Sequence, residues 1–289
     1  MMIDSALGLV VVGYQSDAVW DSFFSSLATS DLLPSAIVVV ENGPTVAPAL
    51  DPETSPPLTI LHRPDNPGYG AAINAGVKLL PGGCEWVAIA NPDVTLSPTA
   101  LAVLLGAKDN FPGTAILGPQ IQTASGQIYP SARAIPGIRI GIGHALLGNI
   151  LPRNPWTLRY LGAYGSANSR TAGWLSGAFL VVNRAAFMEI GGFDENYFMF
   201  FEDVDLGFRA KAAGYRSVYV PSAVVTHSGA HATRSSASQM VMAHHRSAEF
   251  FLAKLYPRRI QGLLRFALSL GLRLRAVIES RRIQRAAKI

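Results

Sequence analysis

The sequence predicts an α/β protein with a mostly parallel, Rossmann-like sheet flanked by helices, and three observations support this fold class. Short β-rich runs alternate with helical stretches in the first half of the chain, which is typical of parallel strands joined by right-handed crossovers. Polar or turn residues follow these strands, at the carboxyl ends where open α/β sheets bind ligands. The 289 residues suffice for one large core with an appendage.

The strands of the first half are apolar runs that stop at turn-forming residues. The first ends at G-Y-Q-S-D and the second at E-N-G-P-T, and a helix can form between them. The third leads into R-P-D-N-P-G-Y-G and a second helix, and the fourth ends at N-P-D-V. Strands are predicted at residues 9–12, 37–40, 58–62 and 85–90, and helices at residues 17–33 and 71–80.

The middle of the chain, residues 101–170, is rich in Gly and Pro and has no clear period, so only a strand near residues 115–118 is predicted there. A clear pattern resumes at G-W-L-S-G-A-F-L-V-V, which predicts a turn followed by a buried strand. Gly214 is expected to close a later helix, because glycine favours the left-handed cap conformation. Further helices are predicted at residues 184–190, 204–213 and 236–289, and a strand at residues 216–220.

Composition narrows the class of protein. Hydrophobic residues make up 49% of the chain and charged residues 15%, yet no charge-free run approaches the ~20 residues of a membrane-spanning helix. The N-terminus carries Asp4 and no basic segment, so no secretory signal is expected. The single cysteine, Cys84, forms no internal disulfide and suits a reducing cytoplasm.

The segment N-P-G-Y-G-A-A-I-N-A-G, residues 66–76, opens a helix with small residues where a ligand can approach the backbone closely. Exposed N–H groups at a helix start suit anionic phosphates. The alternative is an ordinary connection between a strand and a helix. Ile73 occupies the position of the third glycine of a dinucleotide-binding fingerprint, which argues against an NAD-dependent oxidoreductase.

Two strand ends carry candidate metal ligands. Asp93 in N-P-D can hold Mg²⁺ or Mn²⁺ through its carboxylate, although Asp in such a turn often only caps a helix or forms an Asx-turn. His227 in V-V-T-H-S-G follows a predicted strand, and its imidazole is an acceptable ligand for Mn²⁺. A structural or surface role is the alternative for this histidine.

The segment F-E-D-V-D places three carboxylates, Glu202, Asp203 and Asp205, after the aromatic run Y-F-M-F-F. A carboxylate that faces a cleft can remove a proton from a sugar hydroxyl. Acids in the first turn of a helix also stabilise the helix dipole, and this explanation accounts well for Asp205.

Seven motifs in a fixed order resemble family 2 glycosyltransferases of the GT-A fold, over roughly residues 7–230. The N-P-D version and the F-E-D-V-D-L block are similar to bacterial rhamnosyltransferases. The motifs are G-Y-Q-S-D, V-V-V-E-N-G, N-P-G-Y-G-A-A-I-N-A-G, N-P-D, W-L-S-G-A-F, G-G-F-D-E-N-Y-F-M-F-F-E-D-V-D-L and the later His227.

This resemblance implies roles for individual residues. Asp203 matches the catalytic base, with Glu202 beside it in the catalytic pair, while Trp174 and Gly177 lie where the acceptor meets the donor sugar. Asp93 and His227 would hold the metal. The implied donor-binding residues are Gly13, Tyr14, Glu41, Asn66, Gly68, Gly70, Asn74, Asn91 and Asp93.

Two positions depart from the family pattern. Asn91 stands where the D-x-D motif has its first Asp, which leaves the metal site with fewer acids, and Glu41 replaces a more usual Asp. The division that the resemblance implies is a donor-binding half at residues 1–110, a half for acceptor binding and catalysis at residues 111–235, and a tail at residues 236–289.

The implied reaction is a single displacement with inversion at the anomeric carbon. The segment A-H-H-R-S-A-E-F-F resembles actinobacterial members that move L-rhamnose from dTDP-rhamnose to N-acetylglucosaminyl-diphospho-polyprenol. Transfer of galactofuranose or N-acetylglucosamine, and a non-catalytic nucleotide-sugar binder, remain alternatives. A nucleotidyltransferase is disfavoured because the loop after the first strand lacks Lys and Arg.

The tail is strongly basic. From position 254 to the end there are ten basic residues and one acidic residue, a net charge of +9, whereas the whole chain carries +5. Lys254, Arg258 and Arg265 share one helical face, but the later arginines spread around the helix. We expect peripheral binding to anionic lipid on the inner, cytoplasmic face of the plasma membrane. A solvated basic helix is the alternative, and no nucleic-acid recognition motif is present.

Overall fold

The computed structural model describes residues 2–44, 56–137, 151, 153–162, 167–229 and 237–286. The first part of the chain forms four parallel strands in the order β3-β2-β1-β4. Its elements are β1 (Met2–Gly13), α1 (Trp20–Ala28), β2 (Leu32–Glu41), β3 (Leu58–His62), α2 (Tyr69–Leu79) and β4 (Trp86–Ala90).

Later strands extend the same sheet, which continues from β4 in the order β11-β6-β12-β5. β11 runs antiparallel to β4 and β6, whereas β12 is parallel to β6. The α/β class and the mostly parallel sheet are thus confirmed. The elements are β5 (Val94–Leu96), α3 (Ala100–Ala107), β6 (Thr114–Thr123), β7 (Ile128–Tyr129), β8 (Ala132–Arg133), α4 (Pro155–Leu161), β9 (Arg170–Ala172), β10 (Trp174–Leu175), β11 (Phe179–Asn183), α5 (Arg184–Glu189), α6 (Glu202–Ala212) and β12 (Arg216–His227).

The sheet buries both of its faces. On β1, Leu9 and Val11 pack into the cluster that includes α1 and α3, while Val10 and Val12 pack into the cluster on the opposite face, which includes α2. Since alternate side chains of a strand point to opposite faces, a strand that is covered on both sides needs a continuous apolar run.

Two sequence predictions are wrong in extent. Helix α1 ends at Ala28, not at residue 33, because the Thr29 and Ser30 hydroxyls donate to the Ser26 carbonyl and the chain then enters β2. The weakly patterned region 101–170 contains helices α3 and α4 as well as short strands. α3 has the sequence A-L-A-V-L-L-G-A, which is apolar on all sides and therefore shows no helical period.

Two helices, α7 (Ala237–Leu255) and α8 (Gly262–Ala286), form the tail. Phe251 of α7 packs with Trp174, Tyr197 and Val204, and α8 packs along α7. Among the described residues, no helix is long and apolar enough to cross a membrane. The predicted boundary between residues 235 and 236 lies outside the described residues, so the division of the chain stays a prediction. The side chains of the arginines at 281, 282 and 285 also lie outside the described part of the structure.

Candidate active site

The predicted donor residues at the ends of β1 and β2 lie side by side. Gly13 and Glu41 are register partners in the parallel pair. The Glu41 carboxylate is buried, and a Cβ atom on Gly13 would lie only 2.6 Å from its Oε2 atom and 2.5 Å from the Trp20 ring. Glycine is therefore required for β1 to end against this carboxylate. Tyr14, the next residue, is exposed just beyond the end of β1.

The loop before α2 packs tightly on the segment that precedes α6. Asn66 and Gly68 have positive φ angles of 40° and 96°, and a Cβ atom on Gly68 would lie 2.3 Å from the Phe198 carbonyl oxygen. A Cβ atom on Gly70 would lie 2.8 Å from that of Phe193. These glycines allow two segments of the chain to touch, and their contact with a donor stays a prediction.

The side chain of Asn74 holds the same segment in place. Its Nδ2 atom donates to the Phe193 carbonyl at 2.8 Å and to Glu195 Oε1 at 3.0 Å. Its Oδ1 atom accepts from the Phe193 N–H at 2.9 Å. These bonds give Asn74 a structural role without a ligand, and its predicted donor contact is not needed to explain the residue.

Strand β12 is longer than the sequence predicts, and this length places His227. The predicted strand ended at residue 220, but β12 continues to His227, which pairs opposite Val94 of β5. The register shifts between Val220 and Val224, and this irregularity interrupts the alternation of apolar residues. The pairing with β5 brings His227 next to the N-P-D loop.

Asp93, His227 and Asn91 converge at that loop. His227 Nε2 lies 3.0 Å from Asp93 Oδ1 and 3.4 Å from Asn91 Nδ2. A carboxylate oxygen and an imidazole nitrogen in contact fit a divalent cation whose shell is completed by water and diphosphate oxygens. The described part of the chain contains no cluster of three or more His, Cys, Asp or Glu residues suited to a metal.

A sharp turn places Glu202 and Asp203, the predicted catalytic pair, at the N-terminus of α6. Phe200 and Phe201 both adopt left-handed φ angles, 67° and 66°, a conformation that costs roughly 1–2 kcal/mol per non-glycine residue. The ring of His244 contacts both phenylalanines, with centroids 5.5 and 5.2 Å away, and Ser247 Oγ donates to the Met199 carbonyl at 2.8 Å. Helix α7 thus supports the strained turn.

The Asp203 carboxylate is held by two backbone donors. Oδ1 accepts from the Val204 N–H at 2.8 Å and Oδ2 from the Gly177 N–H at 3.0 Å. Burial raises the pKa of Asp203, and these N–H groups and the charge of Arg133 only partly oppose this shift. A carboxylate with a raised pKa is a stronger base, as proton removal from a hydroxyl requires.

The environment of Glu202 favours its protonated form. Its side chain is 7% exposed, and burial, with the charge of Asp203 as the second cause, raises its pKa to about 8. Glu202 is therefore largely protonated at neutral pH. The neutral acid can donate a hydrogen bond but is a poor base.

Asp205 belongs to the core and does not serve as a helix cap, which corrects the sequence interpretation. It is fully buried and accepts from Arg209 Nε and from Lys254 Nζ, each at 2.6 Å. Lys254 also pairs with Asp194. Lys254 thus anchors α7 to α6, and it does not contribute to the basic lipid-facing surface that the sequence predicted.

The comparison with protein families identifies the chain. The model of the family described as "Glycosyltransferase like family 2" matches residues 5–248. The chain is a family 2 glycosyltransferase. The resemblance inferred from the motifs is confirmed, as is the prediction that the protein is an enzyme.

Curated relatives of this glycosyltransferase include rhamnosyltransferases. It is 39% identical to the N-acetylglucosaminyl-diphospho-decaprenol L-rhamnosyltransferase of Mycobacterium tuberculosis over 286 residues, which cover 95% of this chain and 93% of the relative. A rhamnosyltransferase of Escherichia coli is 38% identical over 81 residues, 28% of this chain and 31% of the relative.

Solved structures share the fold of the glycosyltransferase. The mannosyltransferase of Pyrobaculum calidifontis, solved with GDP-Man and Mn²⁺, has a TM-score of 0.57 at 15% identity and covers 98% of this chain and 75% of its own. GalNAc-T7, solved with UDP, GalNAc and Mn²⁺, has a TM-score of 0.55 at 12% identity; the match covers 78% of this chain but only 44% of GalNAc-T7. The predicted GT-A fold is confirmed.

Sequence reasoning missed two residues beside the predicted catalytic pair, Glu202 and Asp203. The Tyr69 hydroxyl donates to the Gly177 carbonyl at 2.7 Å. The Arg133 guanidinium lies 5.2 Å from the ring centres of Tyr129 and Trp174. Tyr69 stands inside a motif already singled out, whereas Arg133 lies in the weakly patterned region and gave no signal.

Of the predicted acceptor residues, Gly177 contacts Asp203 directly, whereas Trp174 packs with Val204, the residue after Asp203. The Trp174 ring is buried, and its indole N–H donates to the Ala134 carbonyl at 3.1 Å. At Gly177, a Cβ atom would lie 3.4 Å from that of Asp203. The contact of both residues with an acceptor stays a prediction.

Proposed function

We propose that this glycosyltransferase moves L-rhamnose from dTDP-rhamnose to an N-acetylglucosaminyl-diphospho-polyprenol, a lipid-linked acceptor in cell-wall or polysaccharide synthesis. The observation that carries the proposal is the 39% identity over 95% of the chain with the mycobacterial L-rhamnosyltransferase. Its name specifies both the sugar and an N-acetylglucosaminyl-diphospho-decaprenol acceptor. The half-buried base and the neighbouring N-P-D loop supply the chemical groups that such a transfer needs.

In the proposed reaction, Asp203 accepts the proton of an acceptor hydroxyl. The hydroxyl oxygen forms a bond to the anomeric carbon of the donor sugar as the bond from that carbon to the diphosphate oxygen breaks. The configuration inverts, and dTDP leaves with the electron pair. Glu202, which is protonated at neutral pH, is suited to donate a hydrogen bond beside the base but not to replace it.

Asp93 and His227 would hold a divalent cation, Mg²⁺ or Mn²⁺, with Asn91 beside them. When bound, such a cation neutralises charge on a departing diphosphate. The 3.0 Å contact between the imidazole and carboxylate atoms supports this assignment, and the two solved neighbours were each obtained with Mn²⁺. The residues after β1 and β2 and those of the loop before α2 would bind the rest of the donor.

We further propose that the enzyme works peripherally on the cytoplasmic face of the plasma membrane, docked through α8. Five exposed apolar residues of this helix recur at spacings of three and four positions and span about 80° of its circumference, while Leu264, which is 38% exposed, lies outside this arc. The five are 43–81% exposed, and Arg273, which pairs with Glu249, lies at the edge of this arc, about 20° around the helix from Phe266. The five residues are Leu263, Phe266, Leu270, Leu274 and Val277. An apolar face with flanking basic residues fits an anionic lipid surface.

A donor screen tests the proposed reaction. The full chain is incubated with N-acetylglucosaminyl-diphospho-polyprenol, Mg²⁺ or Mn²⁺, and dTDP-rhamnose, UDP-galactofuranose, UDP-GlcNAc or GDP-mannose in turn. We expect transfer from dTDP-rhamnose well above the others. Transfer from another donor would identify one of the alternative hexosyltransferases, and binding of nucleotide sugars without turnover would support a non-catalytic binder.

Vesicle sedimentation tests the docking surface. Phe266→Ser with Leu270→Ser in the full chain should weaken binding to phosphatidylglycerol-containing vesicles by on the order of 10-fold or more, because apolar burial is lost. The control carries Leu79→Ser and Met188→Ser, two exposed apolar residues far along the chain from α8. Equal vesicle binding by the two double variants would contradict the proposal.

A further inference from the structure

A single glycine links Tyr69 to the Asp203 carboxylate. The Tyr69 hydroxyl donates to the Gly177 carbonyl at 2.7 Å, and the Gly177 N–H donates to Asp203 Oδ2 at 3.0 Å. The Tyr69 ring also lies against Gly177, since a Cβ atom there would be 3.6 Å from Tyr69 Cε1 and 3.7 Å from Asp203 Oδ2. Tyr69, Gly177 and Asp203 therefore form one continuous contact.

Tyr69 is itself firmly held at the start of α2. Its backbone N–H donates to the Phe198 carbonyl at 3.1 Å, and its ring meets that of Phe193 edge to face, with centroids 6.1 Å apart. Burial first, and then the charges of Glu202, Asp203 and Asp93, raise its pKa well above the ordinary value. The hydroxyl thus stays protonated and able to donate.

Two explanations for the presence of the Tyr69 hydroxyl can be separated. If Tyr69 only fills space, the ring contacts with Phe193 and Gly177 suffice and the oxygen is dispensable. A hydroxyl buried beside carboxylates loses hydration, however, and is retained at least cost where it makes a specific hydrogen bond. The Tyr69 hydroxyl donates its hydrogen bond to Gly177, the residue that also orients Asp203. Loss of this hydroxyl should therefore change the rate of transfer.

We propose that Tyr69 is a positioning residue: its hydroxyl fixes Gly177, and Gly177 in turn aims the Asp203 carboxylate at the acceptor hydroxyl. The proposal rests on the proposed role of Asp203 as the base. Displacements of about 1 Å near reacting atoms can cost 10²-fold in rate, so even a small shift of Gly177 matters. Because Tyr69 begins α2, the same contact joins the predicted donor-binding loop to the base.

The test compares Tyr69→Phe with the wild-type enzyme in steady-state transfer from dTDP-rhamnose. Phenylalanine keeps the ring contacts, so we expect an unchanged melting temperature, a kcat lower by roughly 10-fold and a donor KM within about twofold. The control is Tyr215→Phe, which removes a hydroxyl bonded to Glu189 at 2.7 Å at the surface and should leave both constants unchanged.

The pH profile supplies a second readout. A looser Gly177 N–H would stabilise the Asp203 carboxylate less, so the acid limb of kcat/KM should move to higher pH in Tyr69→Phe. The charged and titratable groups that face Asp203 are Glu202, Arg133, Tyr69 and Tyr160. Apart from Tyr69 itself, all of these groups are retained in the variant.

The outcomes separate this inference from the proposed function. If the wild-type enzyme transfers no sugar, the proposed function fails first. If it transfers rhamnose and Tyr69→Phe matches it in kcat and pH profile, the positioning role alone is overturned. Should Tyr69→Phe unfold more easily, the variant is compared in an Asp203→Asn background. In that background Tyr69→Phe should not lower the transfer rate any further. A decrease as large as that in the wild-type background would overturn the positioning role.

Discussion

His227 Nε2 lies 3.0 Å from Asp93 Oδ1, although the two residues are far apart in the sequence. The contact exists because the last residues of β12 pair with β5, directly after the N-P-D loop. The Ser228 N–H also donates to the Asp93 carbonyl at 3.0 Å. Backbone hydrogen bonds therefore hold the two side chains in place as a preorganised pair for the proposed cation.

Loss of either ligand should weaken the response to metal. We expect Asp93→Asn and His227→Ala each to raise the Mn²⁺ concentration for half-maximal transfer by about 10-fold or more, a cost of about 1.4 kcal/mol in binding. Activity titrations with Mn²⁺ and Mg²⁺ measure this. Asp109→Asn, at an exposed turn, is the matched control. An unchanged Mn²⁺ response in both ligand variants would remove this pair from the metal site.

Substitution of the base should abolish most of the chemistry while the fold persists. Asp203→Asn keeps the size of the side chain and one acceptor for the N–H groups of Gly177 and Val204, so the melting temperature should change little. Transfer should fall by on the order of 10²–10⁴, the usual range for loss of a general base. Single-turnover rates at saturating donor measure this, and near-normal turnover would exclude Asp203 as the base.

The fold could be predicted because the sheet is covered on both faces. Strands β1, β2 and β4 each contain a continuous buried apolar run, and the polar residues that follow these runs mark one edge of the sheet. Helix α3 could not be recognised, because it is apolar all round and leaves no periodic signal. The length of β12 was missed because its register shift interrupts the apolar alternation.

The site was predictable only where strand topology alone brings residues together. Asp93 follows a strand end, and Asp203 starts a helix within a characteristic motif. The Tyr69 bond to Gly177 joins positions 108 apart, and the Lys254 bond to Asp205 joins positions 49 apart. Such contacts depend on the tertiary path of the chain, so sequence assigned Lys254 to the surface and Asp205 to a helix cap.

The buried partnership of Lys254 and Asp205 should be important for stability. Lys254→Met removes one of two cations bound to a fully buried carboxylate, and we expect it to lower the free energy of unfolding by about 3 kcal/mol. This is the low end for breaking a buried pair, because Arg209 remains and Lys254 is 26% exposed. Urea unfolding measures the change. The control, Lys211→Met at an exposed position, should cost under about 0.5 kcal/mol.

Protonation of Glu202 should make stability depend on pH. Its pKa is about 8 in the folded state, against an ordinary value of 4.5, so between these values the folded protein holds a proton that the unfolded chain releases. Stability is then fully present below pH 4.5 and falls as pH rises toward 8, by at most about 1.4 kcal/mol per pH unit for each such proton. Asp203, whose pKa is also raised, contributes in the same direction.

Glu202→Gln isolates this contribution, because glutamine has nearly the same shape and does not titrate. We expect the variant to lose less stability than the wild-type enzyme between pH 5 and pH 8, as measured by urea unfolding at several pH values. Glu85→Gln, at an exposed position, should retain the wild-type slope. If Glu202→Gln and wild type show the same slope, Glu202 is ionised in the folded protein at neutral pH, and its assignment as a neutral hydrogen-bond donor beside Asp203 is wrong.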